Sequence, residues 1–529
     1  MYSFLLAQVF SSFLVSAIQQ IHAAAPVTLK VLENEKWWGG AVVDGNKMPF
    51  GDGDYACNLL GDTKGNQGQP LLISNRGRYI WCDDPIRFEF KHGSVSVTAP
   101  LHPSVWGQSG STLRDVYRHV SKTFFPPSGR IPDPLLFTNP QYNTWIELMY
   151  DQNEKDILRY AHGILDHGFP PGVLMIDDNW QEDYGTWEFK AEKFQNPGGM
   201  VDSLHAMGFK VMLWVCPFVS ADSPVYRELA EKRFLITEKN GEKRPAVVRW
   251  WNGASALLDL TNADAGQWFL DRLNRLQHVY GVDGFKLDAG DADFYTGPIA
   301  SSQAVTPNVH SELFCRIGLS FPLNEYRACW KMAGQPLAQR LRDKRHSWGD
   351  LRELIPGILA QGLMGYAFTC PDMIGGGEYL SFLNLGAVDQ ELIVRSAECH
   401  ALMPMMQFSV APWRVLSREN LDICRRMAQL HVRLGKTILA MARESATGGE
   451  PVARPLEYGY PNQGYAEIKD QWMLGESILV APVLEKGQSR RLVYFPAGTW
   501  HGEDGTVVQG SIRKEIQVPI NRLPWYRKN

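Results

Sequence analysis

The sequence predicts an α/β protein: a (β/α)8 TIM barrel flanked by an N-terminal β-domain and a C-terminal β-sandwich. Three observations carry this. Strand-like and helix-like segments alternate from about residue 131 to 444, the stretches on either side read as β alone, and acids recur at the ends of the central strands. A doubly wound open sheet is the alternative for the same alternation.

In chain order, residues 1–25 contain no Lys, Arg, Asp or Glu, carry an apolar stretch from Phe4 to Ile18, and end in Ala23, Ala24 and Ala25. This predicts a secretory signal peptide without the usual basic start, and so a secreted or ER-lumenal protein. A signal anchor is the rival, but the apolar stretch is shorter than the ~20 residues that span a bilayer. Residues 26–130 show short alternating runs, such as Val27 to Val31 and Arg87 to Phe90, broken by clusters such as GDGDY. Prolines 126, 127, 132 and 134 mark a linker into the barrel.

Within 131–444, strands are expected at 143–147, 173–177, 210–215, 284–288, 322–327 and, sixth, 364–369. Helices are expected at 153–166, 200–207, 262–279, 335–339 and 350–361, and the seventh and eighth strands carry no clear signal. From 445 to 529, the runs 477–482, 492–495 and 516–518 between Gly-rich turns predict the sandwich.

Composition removes several functions. A net charge of −4 and no run of Lys and Arg argue against a nucleic-acid partner. Eight scattered Cys have no zinc-ligand spacing, so no metal site is expected. In an exported chain Cys57 and Cys82 are candidates for a disulfide, with buried free thiols as the alternative.

In a barrel the chemistry sits where strands end. Acids stand there in VLMIDDNW (Asp177, Asp178), in GFKLDAGD (Asp288, Asp291), in the loop RLRDKRHSW after the fifth strand (Asp343), and, after the sixth, in CPDMIGGG (Asp372). Any one of them can merely cap the next helix. Arg327 and Arg342 either pair with these acids or sit at the surface. Converging carboxylates are costly unless used or paired, and glycoside cleavage uses two.

These motifs resemble glycoside hydrolase family 31, from Trp37-Trp38-Gly39-Gly40 to Leu523-Pro524. IDDNWQEDYGTW matches the family's second-strand pattern, which implies sugar-binding roles for Asp177, Asp178 and Trp180. MLWVCPFV is similar to its third strand and WWNGASALLDLTN to the approach to its fourth helix, adding Trp214 and Trp251. By the same resemblance Asp288 is the nucleophile, Arg327 binds sugar, Asp343 is the general acid/base and Asp372 lies in the sugar pocket. RPLEYGYP, MLGESILVAPVL and VYFPAGTW resemble the family's C-terminal β-domain.

Three departures matter. Lys286 stands where the nucleophile strand usually has Trp, Lys344 follows the acid/base in place of Asn, and Ser409 takes the place of a sugar-binding His. Residues i and i+2 of a strand share a face, so Lys286 should enter the pocket beside Asp288. The replacements resemble an α-galactosidase-like subgroup. They imply a retaining, cofactor-free glycosidase acting on a carbohydrate with a terminal α-linked hexose, with galactose expected before glucose. The alternatives are an α-glucosidase and an inactive sugar-binding homologue. For Lys286 the bland alternative is pairing with Asp291 or Asp177.

Overall fold

Runs such as VLMI at 173–176 offer water no polar face, so they demand a sheet covered on both sides. In the computed structural model of the protein they form one. The structure describes residues 25–240, 243–383 and 386–529; apart from Ala25, the expected signal peptide lies outside the described residues. The barrel strands are β1 (Gln141–Asn143), β2 (Val173–Ile176), β3 (Lys210–Val215), β4 (Gly284–Leu287), β5 (Leu323–Tyr326), β6 (Gln339–Arg340), β7 (Thr369–Cys370) and β8 (Gln407–Phe408). They lie in the order β7-β6-β5-β4-β3-β2-β1-β8, each neighbouring pair parallel. At the seam the Ile374 N–H donates to the Gln407 carbonyl at 2.8 Å, which nearly closes the barrel.

The outer helices follow their strands: α1 (Glu154–Asp166), α2 (Pro197–Ala206), α3 (Ala263–Tyr280), α4 (Pro307–Ile317), α5 (Trp348–Leu363), α6 (Gln390–Ala401) and α7 (Arg418–Gly448). Asn153, Asn196, Asn262, Ser347, Asp389 and Ser417 cap six of them, each accepting a first-turn N–H. No helix separates β5 from β6. That connection instead holds the short strand Cys329–Trp330, which pairs with the N-terminal strand Gln67–Ser74 and ties the two regions together.

Several expectations need correction. The helix expected at 335–339 is absent, and β6 starts at Gln339. The strand expected at 364–369 shrinks to Thr369–Cys370 and is the seventh, since Met364 caps α5. Asp343 therefore follows the sixth strand and Asp372 the seventh. The first strand lies at 141–143, and Trp145–Leu148 is a helical turn. Within the expected N-terminal β-domain, Leu113–Phe124 is a helix with a Thr112–Asp115 capping box.

Around the barrel, a four-stranded sheet and four strands of a five-stranded one precede it, the fifth being Cys329–Trp330, and a six-stranded sheet faces a two-stranded ribbon after it. Val493, Phe495, Trp500 and Tyr526 fill the space between that last pair, as a sandwich requires. All eight cysteines are free and buried, so the Cys57–Cys82 disulfide is not formed. Cys57 lies in a strand of the four-stranded sheet, whereas Cys82 follows a strand of the other, its Sγ 3.5 Å from the His102 carbonyl. Among the described residues no helix is long and apolar enough to cross a membrane.

Candidate active site

The carboxyl ends of the strands surround a cavity of about 400 Å³. Asp177, Asp178, Trp214, Trp251, Lys286, Asp288, Arg327 and Asp343 line it, joined by Arg342. The register explains why two of them meet: Trp214 on β3 is level with Lys286 on β4, and Lys286 is in turn level with the buried Glu325 on β5.

Asp288 stands one residue beyond β4, its N–H donating to Val215 O at 2.9 Å. The next residues turn sharply, with Ala289 at φ 56° and Gly290 at φ 70°. A Cβ on Gly290 would meet Phe314 at 2.5 Å, so this turn needs glycine there. The turn leaves the Asp288 carboxylate with three donors: Arg327 Nε (2.8 Å) and the Ala289 N–H (2.8 Å) on Oδ1, and Trp214 Nε1 (3.1 Å) on Oδ2. Burial alone would raise this carboxyl, but Arg327, Lys286 and Arg340 outweigh it and hold Asp288 well below the usual carboxylate range.

Arg327 also grips both oxygens of Asp291, at 2.9 and 2.7 Å, and donates to Gly65 O at 2.6 Å. Its guanidinium lies 5.4 Å from the Trp251 ring centre. Lys286 donates to Asp177 Oδ2 at 2.7 Å, and both side chains are buried at the cavity floor. Burial and the Arg340 charge would lower the Lys286 ammonium; Asp177, with Asp288 and Glu325, more than offsets them and raises it. Of the two partners expected for Lys286, Asp177 takes it and Arg327 occupies Asp291.

Asp178 is held by Tyr184 Oη, 3.2 Å from each of its oxygens, by Gln181 at 3.1 Å and by Asn252. Burial, reinforced by the Asp177 charge, pushes Asp178 up to about 7. Asp343 differs from these: its side chain is 39% exposed, and Oδ1 accepts from Arg340 Nη1 at 2.6 Å. Among the described residues no group of three or more His, Cys, Asp or Glu is placed to hold a metal ion. A larger groove of about 870 Å³ lies between Leu113–Phe124 and α7, but its Arg114, Arg454, Glu450 and Glu476 are spent on one another.

Comparison with known proteins places the arrangement. Residues 139–439 match the model of the glycosyl hydrolases family 31 TIM-barrel domain, more than half of the chain. The chain belongs to glycosyl hydrolase family 31. Residues 449–529 match the family 31 C-terminal domain. The chain is 35% identical over 408 residues to the myogenesis-regulating glycosidase of Mus musculus, covering 75% of this chain and 57% of that protein. It is 26% identical over 496 residues to the α-xylosidase XylQ of Lactiplantibacillus pentosus, covering 85% and 62%. It thus spans less than two thirds of either relative. A Flavobacterium johnsoniae family 31 dextranase complexed with glucose shares the fold, with TM-score 0.83 and 19% identity over 95% of this chain and 66% of that one.

Two expectations for this family 31 chain change, those for Trp180 and Asp372. Trp180 does not reach the cavity; it is fully buried and its indole donates to Trp214 O at 2.8 Å. Asp372 also lies behind the wall, accepting from the Lys344 and Gly377 N–H groups at 2.6 and 2.8 Å and from Arg340 at 2.9 Å. Ser409 is buried as well, its Oγ accepting the Ile146 N–H at 2.7 Å. Each points into the scaffold because a backbone or cationic partner is there.

The family 31 site also holds residues the sequence reading missed. Lys64 and Gly65 reach the cavity from the N-terminal region, and Trp145, Tyr150, Glu378 and Tyr379 from loops after β1 and β7. The aromatic members of this group pack edge to face at 5.2–5.7 Å. Loops carry no periodicity, so nothing in the sequence pointed to them. Arg340 had one signal: a cation three residues before an acid the resemblance had already marked.

Proposed function

We propose that the protein is a retaining, exo-acting glycoside hydrolase that removes a terminal α-linked hexose, galactose in preference to glucose. The observation that carries this is one cavity lined by an ionised, triply held Asp288 and a partly exposed Asp343. In the first step Asp288 attacks C1, the glycosidic C–O bond breaks, and Asp343 gives its proton to the departing oxygen. In the second, water loses a proton to Asp343 and attacks C1, and the bond from C1 to Asp288 breaks. Two inversions restore the α configuration. The cavity floor, closed by the buried Lys286–Asp177 pair, suits a chain end rather than a chain middle.

For the sugar, the support is the polar wall. Galactose differs from glucose in an axial O4, and a site built to hydrogen-bond one orientation rejects the other. Lys286 gives one of its three donor positions to Asp177 and still faces the cavity with Asp178. The test is a panel of aryl α-glycosides. We expect kcat/KM for the α-galactoside to exceed that for the α-glucoside by at least ~10²-fold, with Lys286→Met narrowing the gap. A wild-type preference for the glucoside would overturn the galactose reading and leave the retaining glycosidase. Absence of turnover on every glycoside would overturn the enzyme. The charge-free leader further supports a place in the secretory pathway, tested by N-terminal sequencing of the protein exported by cells.

A further inference from the structure

Arg340 is the most enclosed cation at the site, with 1% of its side chain exposed, and three carboxylates surround it. Two of them, Glu325 at 3.2 Å from Nε and Asp372 at 2.9 Å from Nη1, are fully buried and suffice to neutralise it. The third, Asp343, is the one that reaches the cavity. The backbone N–H groups of Lys344 and Gly377 fix Asp372, Asp372 fixes Arg340, and Arg340 takes Asp343 Oδ1 at 2.6 Å. A stiff chain of contacts therefore runs from two loops to one oxygen of an otherwise half-exposed side chain.

We propose that Arg340 is a positioning residue for the acid/base step, holding Asp343 in place and favouring its carboxylate once the proton has gone to the leaving oxygen. The inference rests on the reading of Asp343 as acid/base. It also accounts for Asp372, which holds Arg340. A guanidinium that stabilises the deprotonated acid matters most where proton transfer is furthest advanced, which is with poor leaving groups. Glu325 and Arg327 share the field around this pair, so a variant must alter the Arg340 contact with little change in net charge.

The experiment compares kcat/KM for a disaccharide and for a set of aryl glycosides of graded leaving-group acidity, using the glycone that wild type prefers. Arg340→Lys keeps the charge and loses the fork. We expect it to slow the disaccharide roughly 10-fold more than the most activated aryl glycoside, steepening the leaving-group dependence. Asp372→Glu, which keeps the carboxylate but displaces it, should steepen it in the same sense, and carries the test if Arg340→Lys does not fold. Asp343→Ala is the control. If it leaves the dependence unchanged, the acid/base reading fails and this inference with it. If Asp343→Ala steepens the dependence while the folded variants lose activity equally on all substrates, Arg340 is merely structural and the inference alone is overturned.

Discussion

Asp288 meets three donors, and Asp178, a neighbour on the same cavity, meets a very different environment. One carboxyl is kept ionised by cations. The other is pushed up to about 7, chiefly by burial. The second has a consequence for stability. An unfolded Asp titrates near ~3.9. Between about pH 4 and about pH 7 the folded chain holds a proton on Asp178 that the unfolded chain has lost, so this residue's contribution falls as pH rises. An amide in its place would bind no proton in either state. Asp178→Asn should therefore gain stability relative to wild type as pH climbs through that window, read from urea unfolding at several pH values. Parallel curves would contradict the environment described. The two acids proposed for catalysis were legible at this scale because acids beyond the strands and the family pattern agree on them. Trp180, Asp372 and Ser409 were not, since a motif marks a position and says nothing of which way its side chain points.

Among the elements, long apolar strands were legible and short polar ones were not. β3 lies at 210–215 as its periodicity indicates, because KVMLWV is buried almost throughout. β6 is Gln339–Arg340, with Arg340 kept inside by its ion pairs and the Gln339 carbonyl accepting from the Gln361 side chain, so no apolar pattern announces it. β4, the strand that leads to Asp288, has a tight point of its own. Gly284 opens β4 against Leu323 of β5, and a Cβ there would stand 1.9 Å from the Leu323 carbonyl oxygen. Gly284→Ala must push β4 and β5 apart four residues before Asp288. We expect a loss of roughly 1–3 kcal/mol in denaturant unfolding together with reduced kcat. Unchanged unfolding would show that the strands yield without cost.

Across the whole molecule, three regions in a fixed order were readable because their periodicities differ, whereas the ties between them come from residues far apart in sequence. Arg327 binds Gly65 of the N-terminal region. Arg395 on α6 is fully buried, pairs with Glu398 at 2.8 Å and donates to Val518 O at 2.8 Å in the C-terminal sandwich. Arg395→Met would strand a buried carboxylate. Losing one partner of such a pair costs about 3–5 kcal/mol, so limited proteolysis should release the sandwich earlier than in wild type. Equal protection would mean that other contacts hold it.

The central claim concerns Asp288, and trapping tests it most directly. Incubation with a 5-fluoro-α-galactosyl fluoride, or the gluco analogue, makes the second step slow enough for the glycosyl-enzyme to accumulate. Peptide mass mapping should then place one sugar on the peptide that contains Asp288, with no label in Asp288→Ala. A sugar on any other residue would contradict the assignment of Asp288, and release of the inverted anomer with no covalent species would contradict the double displacement itself.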